Sequence, residues 1–120
     1  MSQPVMFWQI LSKQPAILAE FYGSIFGWNI WPPDALGSRA VETGTGEGIP
    51  GGIWQIPAEA HSMVQLFIRV DNVPAYVQRV ESAGGKVIFP PQLIPSGDEV
   101  SILQDPEGIP FGIYRAGKKS

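Results

Sequence analysis

The sequence predicts an α+β fold made of two βαβββ modules in one chain, and three observations carry that prediction. The pattern of residues 7–30 returns 58 positions later, so that Phe7 falls on Gln65 and Ile10 on Ile68. Each copy holds one stretch of helical period closed by glycine, at Gly27 and at Gly85. The other apolar runs are short and bounded by Pro, Gly, Asp and Ser, giving one strand before each helix and three after it.

Residues 4–11 read as the first strand, ended by Ser12-Lys13-Gln14-Pro15. Pro15 suits the first turn of a helix, where a missing N–H costs nothing. Ile17, Leu18, Phe21, Tyr22 and Ile25 then recur at spacings of three and four, which predicts one apolar face up to Gly27. Residues 28–31 form a short strand stopped by Pro32-Pro33, and residues 38–43 form another. The glycines from Gly44 to Gly52 read as a loop or bulge before a strand over 53–56; no P-loop Lys-Ser/Thr and no strand-to-helix context accompanies them. Residues 61–70 are the longest strand, with Leu66, Ile68 and Val70 on one face and Gln65, Phe67 and Arg69 on the other. A second helix over 73–83 buries Val73, Tyr76, Val77 and Val80 and stops at Gly84-Gly85. Strands over 86–89, 99–104 and 110–115 follow, separated by the turns Pro90-Pro91 and Asp105-Pro106-Glu107-Gly108. Under the same shift of 58, Gly52-Ile53-Trp54-Gln55-Ile56 falls on Pro110-Phe111-Gly112-Ile113-Tyr114.

A chain of 120 residues fits one compact domain, so two repeats share it: module 1 at about 1–57 and module 2 at about 61–116. A net charge of −3, with Lys118-Lys119 as the only basic cluster, argues against a nucleic-acid partner, which needs a basic stripe to neutralise phosphates. The absence of cysteine excludes disulfides, thiolate nucleophiles and cysteine metal sites. Apolar runs far below the ~20 residues of a membrane span, with no signal-peptide pattern, make a cytoplasmic protein without membrane contact the expectation.

Four segments, in this order and spacing over nearly the whole chain, resemble the vicinal oxygen chelate superfamily of glyoxalase I, bleomycin-resistance proteins and extradiol dioxygenases. They are Ala19-Glu20-Phe21-Tyr22 running to Phe26-Gly27-Trp28; Val70-Asp71-Asn72-Val73; Glu81-Ser82-Ala83-Gly84-Gly85; and Gln104-Asp105-Pro106-Glu107-Gly108. The resemblance implies a single glyoxalase-like domain over 1–120, its two modules curling into an open mixed-sheet barrel around a central cleft with helices outside. In metal-dependent members, His and Glu side chains enter the cleft from the first and last strand of each module. Counting from the motifs places those positions at Phe7, Gln65, Trp54 and Gly112. None of these side chains supplies the carboxylate or imidazole that a divalent cation needs, so neither a metal nor any other cofactor is expected. The sole histidine, His61, precedes the strand and reads as a surface residue.

The period of two along each strand then lists the expected ligand-binding cleft: Phe7, Gln9, Trp54, Gln65, Phe67, Arg69, Gly112 and Tyr114. Aromatic rings, two amides, a phenol and one guanidinium suit a planar or apolar organic ligand; the competing expectation is that the aromatics fill the space themselves. Gly112 leaves room in the cleft or makes way for Trp54, and Arg69 pairs with Glu42, Glu99 or a ligand anion. Glu42, Asp98 and Glu99 are the only carboxylates placed to act as acid or base, and nothing in the sequence pairs them; no catalytic residue is assigned. Tyr22 and Trp28 are expected in the core. The resulting expectation is a small-molecule-binding protein of the glyoxalase/bleomycin-resistance type, taking an organic ligand and forming a homodimer, with Trp31 and Phe89 as interface candidates. The alternatives are a lyase, isomerase or dioxygenase-like enzyme on the same scaffold, and a module acting only through partner contacts.

Overall fold

The computed structural model describes residues 2–44 and 46–117; Lys118-Lys119 lie outside the described residues. The elements run β1 (Val5–Ser12), α1 (Pro15–Phe26), β2 (Asn29–Ile30), β3 (Ser38–Glu42), β4 (Gly51–Gln55), β5 (Met63–Arg69), α2 (Val73–Ser82), β6 (Lys86–Leu93), β7 (Glu99–Gln104) and β8 (Pro110–Arg115). Two helices and eight strands in mixed pairing make this the α+β fold of two βαβββ modules that the sequence predicts. By contacts the chain divides into one unit over Phe7–Gln65 and another holding residues up to Met6 and from Leu66 on.

In the unit Phe7–Gln65 the strand order is β2-β3-β4-β1, with β1 parallel to β4 and the other pairs antiparallel. The register sets Trp8 beside Gly51 and Ile10 beside Ile53, and this face carries the buried Val41 and Ile53. Trp8 packs over Gly51, where a Cβ would collide with the indole, so glycine is what permits the ring to lie flat on β4. Its ring meets Trp28 at 5.6 Å, and Trp28 stacks on Tyr22 at 5.0 Å and 4°. Tyr22 and Trp28 therefore pack within the unit, although both remain half-buried. Helix α1 begins at Pro15, and the Gln14 N–H is taken by Ser12 Oγ at 3.1 Å. It ends on Gly27 in the left-handed region (φ 72°), whose N–H returns to the Gly23 carbonyl at 3.0 Å. Only part of its apolar face is covered. Leu18 and Tyr22 are half-buried, whereas Ile17, Phe21 and Ile25 stand 62%, 49% and 57% exposed. The expected five-residue face is thus wider than the surface that shields it.

In the second unit the order is β5-β8-β7-β6, with β5 parallel to β8 and the rest antiparallel. Val70, Val73, Val77, Leu103 and Ile113 form its buried core, with Ile68, Tyr76, Val80, Val87 and Phe111 around them. Asn72 caps α2 by accepting the Ala75 N–H at 3.1 Å. The predicted stop at Pro90-Pro91 is corrected by the structure, because β6 continues to Leu93 with register shifts between Val87 and Phe89 and between Phe89 and Gln92. Strand β6 ends this unit's strand order, and an outer strand with bulges accommodates residues that lack an N–H. The turn after β7 is built by Asp105, whose Oδ1 accepts the N–H groups of Glu107 and Ile109, both at 2.9 Å. Asp34 does the same before β3, accepting from Leu36 at 2.9 Å and Ser38 at 3.0 Å.

The repeat itself needs one correction. A shift of 58 holds from β1 to β5 and from the start of α1 to the start of α2, but the pairing sets Ile10 beside Ile53 and Ile68 beside Ile113, a shift of 60 in the last strand. The cause is the connection after each helix: Ile30 pairs with Val41 eleven residues on, whereas Val87 pairs with Leu103 sixteen residues on. The next hairpin takes back two residues, since Val41 pairs with Gly51 ten residues on and Leu103 with Phe111 eight residues on. Gly112 therefore corresponds to Gly52, and Trp54 to Tyr114.

Candidate ligand-binding face

The eight residues expected in a cleft divide four and four between the units. Phe7, Gln9, Trp54 and Gln65 belong to the unit Phe7–Gln65; Phe67, Arg69, Gly112 and Tyr114 belong to the other.

In the first unit, alternation along β1 and β4 separates the face that carries Trp8, Ile10 and Ile53 from the one that carries Gln9, Leu11, Gly52 and Trp54. On the latter, Gln65 Nε2 donates to Gln9 Oε1 at 2.8 Å. Gln65 is only 3% exposed, and its Oε1 has no hydrogen-bond partner. A neutral amide shielded in this way and half satisfied costs about 1–3 kcal/mol. Gln9 pairs in register with Gly52, and on the other side of Gly52 stands the exposed Ala40. A Cβ built on Gly52 finds the Arg39 carbonyl at 3.3 Å and no side-chain atom nearer than Ser38 Oγ at 3.9 Å. No ring atom therefore lies within 4 Å of the place a Cβ on Gly52 would take, although Gly52 itself is buried. Trp54 is held by its indole N–H, which donates to the Leu36 carbonyl at 3.0 Å in the Asp34 turn.

The second unit treats the equivalent glycine differently. Gly112 lies beside Phe67 in register, and the Phe67 ring fills the space its Cβ would take. The expectation that Gly112 leaves room, or makes way for Trp54, gives way to a buried phenylalanine on the neighbouring strand. Arg69 is exposed and needs no ionic partner, and the Glu99 carboxylate expected beside it lies 3.6 Å from Arg115 instead, its neighbour across β7 and β8. Asp98 accepts the Gly117 N–H at 2.6 Å. Two of the three candidate carboxylates are thus engaged in structure, and Glu42 is exposed. Burial pushes the Tyr114 hydroxyl above its ordinary value of 10.0; the Arg69 charge pulls it down and Asp98 pushes it up.

Metal chemistry does not fit the side chains. Phe7, Gln65, Trp54 and Gly112, and Gly52 as the true counterpart of Gly112, offer no carboxylate or imidazole, and no group of three His, Cys, Asp or Glu among the described residues could hold an ion. His61 is exposed. Two hollows of the described surface lie elsewhere, one of about 350 Å³ near Lys13, Arg39 and Gln55 and one of about 490 Å³ along α2 near Gln78 and Arg79. Neither includes any of the eight residues. Sequence reasoning found Gln9 and Gln65 but could not see that they bond across 56 positions; the period of two along the strand also sets Gly52 on the face of Trp54.

The fold and these positions agree with what the chain resembles. CFP32 of Mycobacterium tuberculosis, whose name assigns it provisionally to the glyoxylases, is 30% identical over 105 residues, covering 82% of this chain and 40% of its own. The anthracycline biosynthesis protein DnrV of Streptomyces peucetius is 25% identical over 122 residues, covering 88% of this chain and 44% of its own. The chain thus spans about two fifths of the length of these relatives. Among solved structures, hypothetical protein BH1468 of Bacillus halodurans superposes with a TM-score of 0.70 at 14% identity, covering 100% of this chain and 99% of that one. Methylmalonyl-CoA epimerase of Mycobacterium tuberculosis superposes with a TM-score of 0.65 at 14% identity, covering 95% of this chain and 88% of that one. At these identities the superpositions speak to the fold. The family model of the glyoxalase-like domain matches residues 7–114, nearly the whole chain, and with the paired βαβββ modules it establishes that this protein belongs to the glyoxalase-like family of the vicinal oxygen chelate superfamily.

Proposed function

We propose that this protein binds a small organic molecule non-covalently and without a metal, on the sheet face of the unit Phe7–Gln65. The observation that carries the reading is the composition of that face. Phe7, Leu11 and Trp54 provide apolar surface, Gln9 and Gln65 provide polar groups, and Gly52, in register beside Gln9, has no ring atom within 4 Å of the place a Cβ would take. The residues just named are uncharged, and Glu42, which shares this face from β3, is exposed, so the part of the ligand that meets Gln9 and Gln65 is neutral, since a buried charge without a counter-charge is costly. The relative named for anthracycline biosynthesis supports an organic ligand. Titration of the intrinsic tryptophan fluorescence with neutral planar aromatics tests this: saturable change that Trp54→Leu reduces is expected, and no response to any compound would refute binding.

The relative named among the glyoxylases favours a second reading, an enzyme on the same scaffold. Elemental analysis of protein purified without chelator separates the two, because stoichiometric Zn, Ni, Mn or Fe would overturn the metal-free reading. We further propose a homodimer located in the cytoplasm, with neither nucleic acid nor membrane as partner. A net charge of −3 supports the former exclusion, and among the described residues no helix is long and apolar enough to cross a bilayer. The apolar residues left exposed on α1, and Trp31 and Phe89 at 48% and 51% exposure, support a self-association surface.

A further inference from the structure

The Gln9–Gln65 pair has a property that the fold does not require. Both amides lie on one face of the sheet, 2.8 Å apart, and the bond between them uses one polar atom of Gln65 and leaves the other bare. Gln9 Oε1 already takes the Nε2 hydrogen, so within the pair Gln65 Oε1 is an acceptor with no donor. A leucine or methionine would fill the same volume and remove the bare buried atom, leaving the half-buried Gln9 Oε1 without this donor. A buried polar atom with no partner is rare enough to need an explanation, and a binding group waiting for its ligand is one.

From this we infer that Gln65 Oε1 is the specificity-determining acceptor of the binding face, receiving a hydrogen bond from an N–H or O–H donor on a neutral, planar ligand. The inference rests on the binding function proposed above and names the chemistry by which that site selects. Gln9 is a positioning residue: by accepting the Nε2 hydrogen it fixes the Gln65 amide so that Oε1 turns away from the pair. The exposed Ala40 lies on the same face beside Gly52, whose missing side chain leaves no ring atom within 4 Å of the place a Cβ would take. Oε1 is shielded from solvent, so a ligand that bonds to it must displace neighbouring side chains. Selection by such a group is strong, since an analogue without the donor leaves the buried acceptor unpaired in the complex as well.

Three matched pairs of compounds test the assignment by calorimetric titration of the full chain: 2-quinolinone and its N-methyl derivative, phthalimide and N-methylphthalimide, and 2-naphthol and 2-methoxynaphthalene. Each methylated partner keeps the ring and loses the donor. At least one parent compound is expected to bind about tenfold or more tightly than its methylated partner, the value of one buried hydrogen bond. In Gln65→Leu that ratio is expected to fall below about twofold while binding of both compounds persists. Gln65→Met repeats the measurement with an unbranched side chain, and circular dichroism confirms that each variant is folded. Equal affinity of every pair for the unmodified protein overturns the donor assignment and leaves the binding function standing. A ratio that survives both substitutions places the selecting group elsewhere and overturns it too. No heat from any of the six compounds overturns the binding function and the assignment together.

Discussion

At the scale of single residues, the two equivalent glycines show how one backbone position serves opposite ends. Gly112 is closed over by Phe67, so Gly112→Ala forces the ring aside; a loss of about 1–3 kcal/mol in urea unfolding is expected. Gly52→Ala meets only a backbone carbonyl at 3.3 Å and should cost less than about 1 kcal/mol. Gln65 is the converse of a packing residue. Replacing its half-satisfied amide by leucine is expected to leave stability unchanged or raise it by about 1 kcal/mol, measured by the same unfolding curves, while ligand selection is lost. Tyr114 gives a pH dependence whose sign follows from its burial. Its hydroxyl ionises at higher pH in the folded chain than in the unfolded one, so its contribution is fully present below about pH 10 and is lost as pH rises through the folded value. The stability difference between the wild type and Tyr114→Phe should therefore shift against the wild type as pH rises above about 10, checked by unfolding at stepped pH.

At the scale of elements, helix α2 is anchored and helix α1 is only partly so. Helix α2 buries Val73 and Val77 against Leu103 and Ile113 and carries the Asn72 cap, whereas α1 buries only Pro15 fully and has no side-chain cap on Gln14. Leu103→Ala is expected to cost about 2–5 kcal/mol, because Leu103 is fully buried in that core and its removal leaves a cavity. On α1, substitutions at the exposed positions report association instead. Phe21→Glu combined with Ile25→Glu is expected to leave the unfolding midpoint of the monomer within about 0.5 kcal/mol and to convert a dimer to monomer in light scattering after gel filtration. Strand β6 shows where sequence reasoning lost an element boundary: Pro90-Pro91 cannot donate hydrogen bonds and so reads as a stop, yet an outer strand with two register shifts absorbs both. The Asp105 turn went the other way. Its D-P-E-G pattern names the turn from composition, and the structure adds only the two N–H groups that the aspartate accepts.

At the scale of the whole chain, the duplicated pattern fixed the order strand, helix, three strands twice over, because helical and strand periods are local properties that survive in sequence. The placement of Phe7 and Gln65 was also legible, since the shift of 58 is unbroken from the first strand to the helix that follows it. By the last strand the ruler had slipped by two residues, which a sequence with connections of different length cannot reveal without the hydrogen-bonded register. The sequence by itself thus determined the fold and the family resemblance. Only the tertiary structure decided that Gly112 is filled and Gly52 is not, that Arg69 needs no carboxylate, and that Gln65 bonds to Gln9 with one atom left bare. Which side chain fills a neighbour's space, and which polar atom goes without a partner, depend on contacts between residues far apart in the chain, and no local pattern encodes those contacts.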